Sequence, residues 1–258
     1  MSKIVVQGIP YDEKSSFLQG PSLAPPLIRE AYHSPSANYY AENGTLLSSE
    51  RLVDKGDFDI TDYFEIEELT LKHLESGLPL LTFGGDHSIT YPIIRAFHKK
   101  YGQFPILHID AHSDLYPDFE GDPYSHACPF YHIMKENLCN HLTQIGIRTL
   151  NGEQRKNASE FGVTIVGMND LAAFKIPKYK TPIYLSMDMD ALDPAFAPGV
   201  SHHEPGGLST RQVLEIIQSI PVPILGADIV EYNPKRDNNG VTAMVCAKLF
   251  KEIATKML

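Results

Sequence analysis

Short apolar, β-branched runs recur along the chain without regular polar alternation: KIVVQG (3–8), LPLLTF (78–83), FPILHID (104–110), HLTQIGI (141–147), VTIV (163–166), PIYLSMD (182–188) and VPILGAD (222–228). Such runs predict strands buried on both faces of a parallel sheet. Between them the period changes. TDYFEIEELTLKHLESG opens on a Thr61 cap signal and stops at Gly77, while STRQVLEIIQS and TAMVCAKLFKEIATKM space their apolar residues by three and four. Strand–helix alternation over the whole length predicts one α/β domain, residues 1–258, with helices on both faces of the sheet. Three long segments, 33–50, 111–127 and 189–208, fit neither period, and loops of that length tend to be functional. The opening MSKIVVQGIP lacks a charged region ahead of an apolar one and reads as a first strand; the final KML reads as a helix end.

Composition narrows the function classes. At 43% hydrophobic and 21% charged residues, the chain is not a disordered one. Its 22 Lys and Arg against 32 Asp and Glu give a net charge of −10, so no basic nucleic-acid footprint exists. No apolar run approaches the roughly 18 residues of a membrane span. Cys128, Cys139 and Cys246 show no C-x-x-C spacing, and an odd count without a framework predicts a reducing compartment, read here as cytoplasm.

The candidate chemistry sits at strand ends. Gly84-Gly85-Asp86-His87-Ser88 follows LPLLTF, Asp110-Ala111-His112-Ser113-Asp114 follows FPILHI, and Asp188-Met189-Asp190 follows PIYLSM. In extended backbone, residues two apart share a side, so Asp110, His112 and Asp114 are expected to converge, as are Asp188 and Asp190. Ligands of parallel sheets bind beyond the carboxyl ends of strands, where all three motifs fall. Four carboxylates in one cleft raise each other's pKa unless cations compensate them. Two divalent ions would do so, with His87 and His112 completing an oxygen-rich, imidazole-containing set that suits manganese. A pair of such ions activates water for hydrolysis at neutral pH. Taken singly, an Asp-x-Asp after a strand is a loop cap and His87 a capping residue; three such motifs in this order point to metal. No phosphate-cradling glycine loop and no G-x-S-x-G elbow is present. Cys128 reads as a small buried hydrophobe rather than a nucleophile.

GGDHS, HIDAHSD and SMDMDALDP together resemble the three signatures of the ureohydrolases, the arginases, agmatinases and relatives, and the similarity extends from GIPYDEKSSFLQGPSLAPPLIREA to EYNPKRDNNGVTAMVCAKL. The resemblance implies a three-layer αβα sandwich on a mostly parallel sheet of about eight strands. It implies that His87, Asp110, Asp114 and Asp188 hold one Mn2+, and that Asp110, His112, Asp188 and Asp190 hold the other. Asp114 is counted with the catalytic residues as well. His126, in PYSHACPF, matches the family's proton-shuttle histidine, and Glu231, in DIVEYNP, its guanidinium-binding glutamate. On sequence alone each reads as an ordinary surface residue, yet a carboxylate suits a planar guanidinium and a histidine suits protonation of a leaving amine. The implied reaction cleaves a small cationic guanidino substrate to urea and an amine. The implied assembly is a homo-oligomer, trimer or hexamer, with neither nucleic acid nor membrane as partner.

Details resemble plant-type arginases most: SSFLQGP, DLYPDFEGDPYSHACPF and DPAFAPGVSHHEPGGLS. Arginine is therefore the expected substrate, with agmatine or another guanidino acid as the alternative. Tyr116 and Asn151 stand where animal arginases carry an asparagine and an aspartate near the substrate tail. With His202 they are the candidate tail-binding residues, and the loop around Asp122 is expected to surround the tail as well, while Arg148 and Arg155 remain unassigned. A metal-dependent deacetylase and a catalytically silent binding protein are the rival classes; the complete set of six ligand-type residues speaks against both.

Overall fold

The computed structural model describes residues 2–258. Eight strands form one sheet: β1 Ile4–Gly8, β2 Leu52–Asp57, β3 Leu80–Phe83, β4 Pro105–Ile109, β5 His141–Ile147, β6 Thr164–Gly167, β7 Ile183–Asp188 and β8 Ile224–Val230. Their order is β2-β1-β3-β8-β7-β4-β5-β6, and every pairing is parallel. Seven coincide with the apolar runs. The eighth, β2, reads LVDKGD and lies at the sheet edge with much of its length exposed, so no apolar run marks it.

Seven helices cover the sheet: α1 Ala24–Tyr32, α2 Glu65–Leu74, α3 Thr90–Tyr101, α4 Pro129–Lys135, α5 Gly152–Phe161, α6 Thr210–Ser219 and α7 Val241–Met257. Helix α2 begins four residues after Thr61, whose backbone N–H is instead taken up by the Glu65 carboxylate at 2.9 Å. Each buried strand sends alternate side chains to opposite faces. Ile4, Val6, Leu81, Leu107 and Leu185 pack with α1, α6 and α7, whereas Val5, Leu80, Ile106, Leu142 and Tyr184 pack with α2 to α5. Two apolar layers result, one on each face, and they hold the four central strands β3, β8, β7 and β4 rigid. The carboxyl ends of those four strands carry the candidate chemistry.

Of the three long segments, 111–127 and 189–208 border the same cavity at that end of the sheet. Segment 33–50 does not. It is fastened to α6 and α7 by Glu42, which pairs with Arg211 at 2.7 Å and Lys248 at 3.3 Å.

Candidate metal centre and active site

Close backbone packing at the end of β3 sets the first motif. A Cβ on Gly85 would lie 1.7 Å from the Tyr11 carbonyl oxygen, so only glycine fits, and the Asp86 N–H donates to that same oxygen at 2.9 Å. Asp86 caps the following turn through the Ser88 N–H, which frees His87 from capping. The Asp86 carboxyl is pushed up to about 7 by burial and by the neighbouring Glu231.

Strand β4 ends at Ile109 and Asp114 has φ +49°, so strand parity is not what gathers Asp110, His112 and Asp114. A turn does it. The Asp110 Oδ1 accepts the His112 N–H at 2.7 Å, and the Asp188 Oδ1 likewise accepts the Asp190 N–H at 2.7 Å. Each carboxylate thus fixes its own loop with one oxygen and turns the other inward. His87 Nδ1 meets Asp188 Oδ2 at 2.9 Å and both Asp110 Oδ2 and Asp114 Oδ2 at 3.2 Å. His112 Nδ1 meets Asp190 Oδ2 at 3.0 Å and Asp110 Oδ1 at 3.5 Å. Asp110 therefore belongs to two donor groups, one through each oxygen.

The hydrogen bonds behind these groups decide which protons are where. The Ser186 hydroxyl donates to Asp228 Oδ1 at 2.7 Å, so it accepts from His87 Nε2 at 2.9 Å. Asp228 also accepts from Thr90 and Tyr184, which holds it in place. With Nε2 carrying the proton, the His87 Nδ1 lone pair faces three carboxylate oxygens and has no hydrogen-bond partner. That point demands positive charge, a proton or a metal ion. Burial opposes an imidazolium there, but Asp110, Asp114 and Asp188 outweigh it and hold His87 well above its ordinary value. His112 is raised against burial by Asp190 and Asp110 in the same way. Burial and mutual repulsion raise Asp188, and burial with repulsion from Asp110 raises Asp190 although His112 opposes it. Asp110, by contrast, is held down against burial by His108. Neighbouring donors around one small cation lie roughly 3 Å apart when each is about 2.1 Å from it. The spacings of 2.9–3.5 Å match, and the all-oxygen and imidazole donor set fits a divalent ion of the manganese type.

Four buried polar residues behind this cluster escaped the sequence reading. His108 donates from Nε2 to Asp110 Oδ2 at 2.6 Å, and Gln144 fixes that tautomer by donating to His108 Nδ1 at 3.0 Å. Ser186 and Asp228 act on His87. The available signal was a polar residue inside an otherwise apolar strand, in PILHI, IYLSM and ILGADIV.

Glu231 follows β8 in a left-handed backbone, φ +63°. Its Oε1 accepts the His87 backbone N–H at 2.9 Å and contacts His126 Nδ1 at 2.8 Å, while His126 Nε2 lies 2.8 Å from the Ser16 hydroxyl. Burial disfavours charge on both partners, but the pairing overrides it. Glu231 is held below the usual carboxylate range, and His126 is pushed up to about 9. A cavity of about 230 Å³ opens above, lined by Ser16, His112, Asp114, Tyr116, Phe119, His126, Ala127, Thr149, Gln154, Asp188, Asp190, His202, Glu204 and Glu231. It is smaller than the roughly 300–1,000 Å³ of drug-sized sites and suits a short, slender molecule.

The tail-binding candidates separate. Tyr116 and His202 line the cavity. Asn151 does not; its side chain caps α5 through the Gln154 N–H and donates to the Tyr116 hydroxyl at 2.6 Å, so it holds Tyr116. Asp122 is tied to Lys14 at 2.9 Å outside the lining. Arg148 spends its guanidinium on backbone carbonyls of Gly146, Asp190, Ala191 and Glu204, and Arg155 is exposed. Cys128 is buried, and burial pushes its thiol far up, as expected of an inert residue.

A family model described as the arginase family matches residues 2–255. Arginase 1, mitochondrial, from Arabidopsis thaliana is 44% identical over 97% of this chain and 80% of its own length. N(1)-aminopropylagmatine ureohydrolase from Thermus thermophilus is 34% identical over 90% of this chain and 83% of its own. Among solved structures, arginase from Medicago truncatula superposes with a TM-score of 0.92 at 40% identity, covering 99% of this chain and 87% of that one. These likenesses overturn the cytoplasmic expectation, since the plant relatives are named mitochondrial, or chloroplastic and mitochondrial. The physical reason is that three buried free thiols carry no information that distinguishes one compartment from another.

Proposed function

The chain belongs to the arginase family of ureohydrolases, and from that premise we propose that it hydrolyses L-arginine to L-ornithine and urea with two manganese ions. The observation that carries this reading is the pair of donor groups sharing Asp110 directly beneath the Glu231–His126 pair. His87, Asp110, Asp114 and Asp188 would hold one ion, and Asp110, His112, Asp188 and Asp190 the other. When bound, the ions supply a water activated for attack on the guanidino carbon at neutral pH.

The chain's own groups perform the remaining steps. Glu231 receives the planar guanidinium through its carboxylate, and its fixed φ and its bond to the His87 N–H aim it. His126, held protonated by Glu231, keeps one proton on Nδ1 toward that carboxylate and the other on Nε2 toward Ser16. The Nε2 proton goes to the nitrogen of the breaking C–N bond, so that the side chain departs as an amine rather than an amide anion. Guanidinium and water are thereby converted to urea and an ammonium. Tyr116, positioned by Asn151, donates its hydroxyl toward the substrate's carboxylate, and His202 closes the opposite wall.

The family likeness also supports a homo-oligomer, trimer or hexamer, which light scattering measures directly. Function is tested by urea release from arginine, agmatine and guanidinobutyrate by manganese-loaded protein. Arginine is expected to exceed agmatine in kcat/KM by about tenfold to a hundredfold, the range of one or two polar contacts. A better rate with agmatine would replace arginine by agmatine as the substrate.

A further inference from the structure

Among the cavity-lining residues, none is lysine or arginine, and Glu204 stands apart from the other carboxylates. Asp114, Asp188, Asp190 and Glu231 are all engaged at the cavity floor. Glu204 is half-buried and shows no side-chain hydrogen bond or ion pair among the described residues. Its backbone, in contrast, is tightly held. Arg148 Nε and Nη2 donate to the Glu204 carbonyl at 2.9 and 2.6 Å, and the same guanidinium reaches the carbonyl of Asp190 at 2.7 Å. Two residues on, the N–H groups of Gly206 and Gly207 donate to Asp193 Oδ2 at 2.6 and 3.2 Å. A Cβ on Gly207 would lie 2.6 Å from Arg148 Nη2, so the loop and the arginine pack against each other without room for a side chain. On the other side, His203 is bonded to the Pro198 carbonyl at 2.7 Å. The loop is therefore rigid on both sides of a carboxylate that has been given no partner.

A half-buried, unpaired carboxylate that lines a substrate cavity on a firmly held backbone is poised for a cation. We propose that Glu204 is the residue that binds the ammonium group at the substrate's far end, so that the site selects guanidino compounds with a cationic tail. The inference rests on the ureohydrolase reading of the cavity. It adds a direction to specificity that the floor does not contain, because Glu231 receives any guanidinium. Arginine and agmatine both carry the required ammonium. Guanidinobutyrate ends in a carboxylate, which Glu204 repels.

The test uses manganese-loaded wild type and Glu204→Gln, a change of charge at nearly constant shape. We expect KM for agmatine to rise about tenfold and that for arginine by a smaller factor, with kcat changed less than about threefold. For guanidinobutyrate, kcat/KM is expected to rise by about threefold, because a repulsion is removed. This change of sign separates an ammonium-binding role from a structural one. A parallel loss with all three substrates, or no change with any, overturns the proposal. Calorimetric titration of both proteins with agmatine reads the same contact without turnover. Weaker binding to Glu204→Gln then supports the proposal even if no urea is formed, a result that would defeat the ureohydrolase reading alone, whereas equal binding defeats the proposal.

Discussion

The floor and the rim of the cavity are built by opposite means. On the floor, the donors follow the ends of buried strands within five residues, and three of the six are held by partners named above. Ser186 and Asp228 hold His87, His108 and Gln144 hold Asp110, and the Asp190 N–H holds Asp188. At the rim, Tyr116, His202 and Glu204 come from long loops, and their contacts are few. The difference teaches where each property resides. On the proposed reading, the reaction would depend on many mutually enforced positions, whereas substrate choice would depend on a few side chains that can change singly.

Breaking the floor should therefore cost most. Asp110→Asn removes a carboxylate shared by both donor groups and is expected to lower kcat/KM by at least about a thousandfold, as loss of several kcal/mol of metal-derived stabilisation implies. His87→Asn, which affects one group, should cost less. Elemental analysis should find less than one manganese per chain in the Asp110 variant. Full loading with full activity would contradict the sharing.

His126 joins floor and rim. His126→Ala is expected to lower kcat by about a hundredfold or more with a smaller change in KM, the pattern of a lost proton donor. The same pair has a thermodynamic signature in the metal-free protein. Because His126 is raised to about 9 from an ordinary 6.5, its contribution to stability is complete below pH 6.5 and disappears as pH rises through 9. The melting temperature of metal-free wild type should thus fall between pH 6.5 and 10 more than that of His126→Ala. Identical pH profiles would show that the pair contributes nothing.

A milder intrusion reaches the floor from behind. Ser186→Ala leaves every donor in place but removes the acceptor of the His87 Nε2 proton, and should weaken manganese affinity by about ten- to a hundredfold. Competition with a chelator measures this. Unchanged affinity would mean that the cluster needs no support from the sheet interior. At the rim, Tyr116→Phe should only narrow the preference for arginine over agmatine, by about threefold, through loss of one hydroxyl donor. A comparable loss with both substrates would move Tyr116 from specificity to general binding.

The same division explains what could be read in the sequence. The six donor residues were legible because each lies in a short polar motif directly after an apolar run. Parity along an extended strand, however, was the wrong reason for their convergence, since β4 stops at Ile109 and an Asx-type turn takes over. Seven strands were visible as apolar runs. Strand β2 was not, because an exposed edge needs no continuous apolar sequence. His108, Ser186 and Asp228 were absorbed into apolar runs that they in fact interrupt. Asn151 was placed near the substrate from loop position, but it caps α5, and Arg148, which was left unassigned, clasps carbonyls. Glu204 gave no local signal at all, as a rim assembled from loops distant in sequence has no period to read.

Asp114 and Glu231 occupy the left-handed region of backbone space at φ +49° and +63°, where side chains other than glycine are strained. If the proposed roles hold, the molecule gives up some durability at these two points in order to work. Glu231→Gly would remove the proposed guanidinium contact yet relieve the backbone, whereas Glu231→Ala would remove that contact and keep the strain. The glycine variant should accordingly outlast the alanine variant on heating, by about 1 kcal/mol, although neither turns over substrate. Between two variants that lack the same carboxylate, the backbone alone then decides which one withstands heat better.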